Sequence, residues 1–183
     1  MKTYRSVLTV LGKDRPGIIA EVTGALFRSG CNLEDISMTI LEGEFAMIVV
    51  VCLSKKARTS ADRELRKFAK KFSFTLFWKE LRGSVGRGKV RSKGVKTYLV
   101  SAIGRDKTGI VYKVSRVLAE HTLNITDLNS RILGTAGKTL YAMVLEVEIP
   151  VKFSVGRLER IFTSLSKSLK VEIRIRPHEQ IEF

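Results

Sequence analysis

Cysteine, histidine, acidic residues and long hydrophobic runs are all scarce in this 183-residue chain, and each scarcity removes a class of explanation. Two cysteines, Cys31 and Cys52, are too few for a disulfide framework. Spacing alone leaves a single bridge between them open, but buried free thiols are the expectation, and with them a cytoplasmic location. The longest apolar runs, such as Ala46 to Leu53, fall far short of the ~20 residues a helix needs to cross a bilayer. The segment Met1 to Ser6 leads into a short alternating run, without the sustained apolar stretch and small-residue cleavage site of a secretory signal. His121 and His178 stand alone, neither at metal-ligand spacing with Cys, Asp or Glu. No G-x-S-x-G, H-E-x-x-H or C-x-x-C occurs. With no convergent acid, base or nucleophile, the chain is expected to be non-catalytic and to use no metal or cofactor.

Acidic residues number 18 against 33 basic ones, a net charge of +15. By segment the excess is +6 over residues 1–82, +4 over residues 83–95 and +5 over residues 96–183. It is therefore diffuse, apart from that short middle stretch and the cluster Arg66, Lys67, Lys70 and Lys71. Diffuse positive charge reads as a solubility feature, so nucleic acid is not the expected partner. The middle stretch alternates glycines with Arg87, Lys89, Arg91 and Lys93 and has none of the aromatics that single-strand binders use for stacking. Its Gly83 to Lys89 imitates a phosphate-binding loop, but Val90 stands where a Ser or Thr must meet magnesium. A basic, flexible tether is expected there.

What the chain has in quantity is repetition. Gly12-Lys13-Asp14-Arg15-Pro16-Gly17-Ile18 returns ninety-two residues later as Gly104-Arg105-Asp106-Lys107-Thr108-Gly109-Ile110. Each copy follows an apolar run and opens a segment with helical periodicity. In the first half, Thr3–Leu11 reads as strand. Arg15–Ser29 reads as helix, with Ile18, Val22, Ala25 and Leu26 on one stripe and Pro16 in its first turn. Cys31–Leu41 reads as strand, its Ile36, Met38 and Ile40 buried beneath helices. Glu44–Leu53 reads as a central strand, Thr59–Phe72 as helix with Leu65, Phe68 and Phe72 inward, and Phe74–Leu81 as strand. The second half repeats the plan with Lys96–Gly104, Thr108–His121, Asn124–Leu133, Thr139–Ile149, Ser154–Leu169 and Lys170–Arg176. The copies differ by four extra residues in the hairpin Gly134–Gly137. The order is βαββαβ twice, so the expected organisation is a domain over 1–82, a tether over 83–95, a domain over 96–177 and a tail over 178–183.

Each repeated turn ties a strand to a helix N-terminus, where backbone N–H groups favour an anion. Asp14 and Asp106 can serve there as helix caps, with Gly17 and Gly109 allowing close packing. They can also receive an ammonium while the N–H groups receive a carboxylate, which suits a zwitterionic amino acid. Asn32 offers a donor and an acceptor, and the second strand is expected to begin near this turn.

The D-R-P-G-[IL] turn at Asp14 to Ile18 and the G-x-N-[IL] strand entry at Gly30 to Leu33 resemble the ACT domain, in tandem. The second copy departs at Thr108, where the first has Pro16, and at Thr122-Leu123-Asn124-Ile125. A two-copy chain of this size looks most like the glycine cleavage system transcriptional repressor group. The resemblance implies two ferredoxin-like α/β sandwiches, each an antiparallel sheet with helices on one face. It implies a small effector held between paired domains, within one chain or across a homodimer. The matching positions are Asp14, Pro16, Gly17, Ile18 and Asn32, then Asp106, Gly109, Ile110 and Asn124. The partner it implies is a protein, either a transcriptional regulator or an amino-acid metabolic enzyme.

Overall fold

The computed structural model describes residues 2–81, 94–134 and 139–178. The expected tether up to Lys93, hairpin residues 135–137 and the tail beyond His178 lie outside the described residues. The chain divides into two compact units, residues 1–88 and 89–183.

In the first unit the order is β1 (Thr3–Lys13), α1 (Ile18–Arg28), β2 (Asn32–Leu41), β3 (Glu44–Ser54), α2 (Lys55–Phe72) and β4 (Thr75–Glu80). The second has β5 (Val95–Arg105), α3 (Ile110–Glu120), β6 (Asn124–Leu133), β7 (Leu140–Pro150), α4 (Val155–Leu169) and β8 (Val171–Pro177). The sheets run β2-β3-β1-β4 and β6-β7-β5-β8, with every pairing antiparallel. These are two ferredoxin-like α+β sandwiches.

Alternation explains the layering. In β1, Ser6, Leu8 and Val10 are buried. In β3 the same holds for Phe45, Met47, Val49, Val51 and Leu53, which meet Val22 and Leu26 of α1 and Leu65 of α2. β3 is central, as its Val-rich run suggests, but only one face is covered, and Ile48 is 52% exposed. The Glu42-Gly43 hairpin has φ of 52° and 78°, the doubly positive turn that matches strand twist. In the second unit Val114 and Leu118 are fully buried against Met143, Leu145 and Phe162.

The helix starts differ from the sequence reading. Gly17 and Gly109 occupy the N-cap positions with φ of 91° and 94°, and neither helix has a side-chain cap. Asp14 and Asp106 are therefore not caps, and Pro16 precedes the helix instead of sitting in its first turn. α2 starts early, at Lys55, because Ser54 Oγ accepts from the Ala57 N–H at 3.2 Å.

β2 gives a second correction. Ile36, Met38 and Ile40 pair with Val49, Met47 and Phe45, so they do lie on the helix side. They are nevertheless 43%, 39% and 51% exposed. α1, with eleven residues at ~1.5 Å each, is about half as long as a ten-residue strand at ~3.3 Å each, and β2 is the edge strand, with no further strand beside it among the described residues.

The two short helices end alike but with different residues. Gly30 at φ 74° donates to Phe27 O and Cys31 to Leu26 O, a left-handed stop of Schellman type. In the second unit Thr122 takes that conformation at φ 54°, donating to Ala119 O, while Leu123 donates to Leu118 O. A β-branched residue is strained there. Thr122→Gly should raise stability by about 1 kcal/mol in urea unfolding, offset in part by the extra chain entropy of glycine. A loss of stability would count against this account of the turn.

Candidate functional site

The first turn is built by three constraints. The Asp14 N–H donates to Gly43 O at 2.8 Å, tying the end of β1 to the β2–β3 hairpin. Gly17, in the left-handed region, redirects the chain into α1, a conformation that disfavours any side chain. Arg15 then folds back. Its Nη2 donates to Glu21 Oε1 at 2.8 Å, its Nη1 to Pro16 O at 3.0 Å, and its guanidinium lies 3.6 Å over the Phe72 ring at the end of α2.

With no side-chain cap on Gly17, the N–H groups of Ile18, Ile19 and Ala20 have no partner within the helix. Residues Asp14 to Ala20 line an open cleft of about 480 Å³ together with Met38, Ile40 and Phe45. The exposed apolar side chains of β2 thus form one wall of the cleft and the Asp14–Ala20 turn forms the other, and the lining is almost wholly apolar.

The structure brings Asp14, Pro16, Gly17 and Ile18 together but not Asn32. Asn32 pairs with Cys52, which pairs with Arg5, whereas Asp14 follows Lys13 at the far end of β1. Nine residues of extended chain separate the two ends, roughly 30 Å. Both β1 and β2 run antiparallel to β3, so they start at the same end of the sheet. The second strand therefore begins far from the turn.

Asp106 follows the end of β5 and Gly109 repeats the left-handed N-cap before Ile110, and Asn124 is likewise remote, level with Thr97 and donating to Glu148 Oε2 at 3.2 Å. The second turn lacks the first one's clamp. Lys107 replaces Arg15, Lys113 replaces Glu21, and Leu169 ends α4 where Phe72 ends α2. Sequence reasoning missed Arg15, Ile19, Met38, Ile40 and Phe45. The alternation in β2 had marked the correct face, but coverage by α1 is a matter of relative length.

The cysteines are free, Cys31 buried and Cys52 half-buried. Burial pushes the Cys31 thiol up, opposed by Arg58, so it remains a protonated, structural thiol. Trp78 is half-buried beneath Arg58, whose guanidinium lies 3.9 Å from its ring. Among the described residues no helix is long and apolar enough to cross a membrane.

A family model described as the ACT domain matches residues 5–79 and again residues 96–176. The chain belongs to the ACT-domain family. A UPF0237 protein of Methanopyrus kandleri is 49% identical over 51 residues, 28% of this chain and 57% of that protein. The chain thus spans little more than half the length of such short relatives where it matches them. Glycine cleavage system transcriptional repressor of Escherichia coli is 23% identical over 168 residues, covering 91% of this chain and 86% of that one. Among solved structures, an unknown protein from Galdieria sulphuraria superposes with a TM-score of 0.79 at 27% identity, covering 97% of this chain and all of that one. The chain thus carries two ACT domains in tandem along most of its length.

Proposed function

We propose that this tandem ACT protein is a non-catalytic sensor that binds a small amino acid at its first turn and thereby modulates a partner protein. The observation that carries the reading is the uncapped N-terminus of α1 opening into the Asp14 cleft. Its N–H groups suit a carboxylate, Asp14 suits an ammonium, and Met38 and Ile40 offer an apolar surface to a side chain. The name of the Escherichia coli relative supports a partner in transcription.

Asn32 enters through pairing. β2 is the edge strand of its sheet and carries exposed Ile36, Met38, Ile40 and Leu41, the kind of strand that pairs with another chain. Antiparallel pairing with β2 of a second copy makes an eight-stranded sheet and sets the start of one strand beside the end of the other. Asn32 of that copy then reaches the Asp14 end of this one. An effector bridging the two copies favours the paired state, and the partner senses that population.

Calorimetric titration of the full chain with glycine, serine and the larger amino acids tests this, with thermal shift alongside. At least one is expected to bind with Kd below about 1 mM and to raise Tm, as a ligand of the native state must. Failure of all twenty would end the case for a free amino-acid effector.

A further inference from the structure

The outer face of the α1–α2 layer sets an exposed aromatic beside a basic stripe. On α1, the side opposite the buried Ile18, Val22, Ala25 and Leu26 consists of Ala20, Thr23, Gly24 and Phe27. None of these four residues is charged, although the Arg28 guanidinium, paired with Glu64, lies against Gly24, and Phe27 is 79% exposed, a large aromatic left in water. On α2, Lys56, Arg63, Lys67 and Lys70 follow one another at spacings of seven, four and three and so share the solvent side, flanked by Arg66 and Lys71. The stripe is roughly 21 Å long at ~1.5 Å per residue. The helices lie side by side: Arg28 of α1 donates to Glu64 of α2 at 2.9 Å, and Ser29 Oγ meets Ser60 Oγ at 3.2 Å. Phe27 therefore sits level with Arg63 and Lys67, the residues that flank Glu64.

This charge pattern opposes helix stability. Arg63 and Lys67, Arg66 and Lys70, and Lys67 and Lys71 are like-charged pairs four residues apart, each disfavouring the helix. The first turn of α2 contains Lys55 and Lys56 and no acidic residue, against the helix dipole. The two acids of α2 are already engaged, Asp62 by Arg58 and Arg66, and Glu64 by Arg28. The second unit differs: its exposed helix aromatic is Tyr112, at the position of Ala20. Ala119 stands where Phe27 does, Arg116 is paired with Glu120 at 2.7 Å, and α4 carries only Arg157, Arg160 and Lys167 beside Glu159.

We infer that the outer face of the α1–α2 layer docks an acidic amphipathic segment of a protein partner, its apolar side on Phe27 and its carboxylates along Lys56, Arg63, Lys67 and Lys70. An aromatic anchor beside charged residues is the anatomy of a protein interface. Nucleic acid fits less well. The four residues of the α1 strip have no donor charge of their own for phosphate, and the neighbouring Arg28 is already engaged by Glu64. The inference gives chemistry to the partner of the proposed sensor, while docking itself requires no effector.

The test uses the full chain and a fluorescent synthetic helix with leucine on one side and glutamate on the other, read by anisotropy at fixed salt. Phe27→Ser and the triple change Arg63→Glu, Lys67→Glu and Lys70→Glu should each weaken binding by about tenfold or more. Arg157→Glu, Arg160→Glu and Lys167→Glu alter net charge equally and should weaken it less than about threefold. Equal loss from the α4 triple would reduce the effect to diffuse charge and overturn the proposal. So would full retention in Phe27→Ser, or tighter binding of a labelled DNA duplex than of the peptide. Thermal melts confirm that each variant is folded, and amino-acid titration of the same variants keeps failure here separate from failure of effector sensing.

Discussion

Leu118→Ala should cost about 2–5 kcal/mol, in the upper half of that range, in denaturant unfolding of the second unit. Leu118 is fully buried on α3, in one cluster with Val100, Val114, Val147, Leu158 and Phe162. Truncation removes its transfer energy and leaves a cavity, and the total depends on how far the walls collapse. Here the wall is held by its own backbone. The Leu118 carbonyl accepts from Leu123 at 3.0 Å and from His121 at 3.2 Å, the bonds that turn the chain from α3 into β6. The end of α3 cannot slide inward without breaking that stop, so the cavity persists. Tyr112→Ala on the same helix, 63% exposed, serves as a control and should stay within about 0.5 kcal/mol. A similarly small loss for Leu118→Ala would mean that this face of α3 meets solvent.

The strand and helix order was legible because each element carries a clean period: two in Val171, Ile173 and Ile175, and three or four in Ile18, Val22 and Ala25. Coverage was not, since alternation identifies a face but does not say whether a helix reaches it. Met38 and Ile40 show this: the face is right, yet they line the cleft because α1 is short. The Asp14 turn could be read as an anion-holding corner, but its strength lies in two things a sequence does not display. One is the left-handed Gly17 at the N-cap, which excludes Asp14 as a cap. The other is the stacking of Arg15 on Phe72, residues far apart in the chain. The distance from Asp14 to Asn32 was legible in principle, because two strands antiparallel to the same third strand must start at one end of the sheet. Sharing a motif in the family sense does not require sharing a site within one unit.

That separation makes the effector site testable by complementation. Asp14→Ala should weaken effector binding roughly ten- to a hundredfold, the loss of about 1.5–3 kcal/mol that goes with a hydrogen bond to a charged group. Asn32→Ala should do the same in a homodimer, although it lies at the opposite end of its own sheet. Neither change should unfold the unit, since neither side chain caps a helix or enters the core. Asp106→Ala and Asn124→Ala should matter less, because the second turn has Lys107 and Lys113 where the first has Arg15 and Glu21. The decisive measurement mixes the two first-unit variants, one copy carrying Asp14→Ala and the other Asn32→Ala. If Asn32 acts on the turn of a second copy, a mixed dimer has one turn with both native residues and one with neither. Titration should then show a class of sites with wild-type affinity, at about half the wild-type stoichiometry in purified mixed dimers. A site confined to one unit gives a different result: each copy remains damaged and no tight class appears. Wild-type affinity in Asn32→Ala alone would remove Asn32 from the site and leave the turn, the α1 N-terminus and the β2 wall to hold the ligand by themselves.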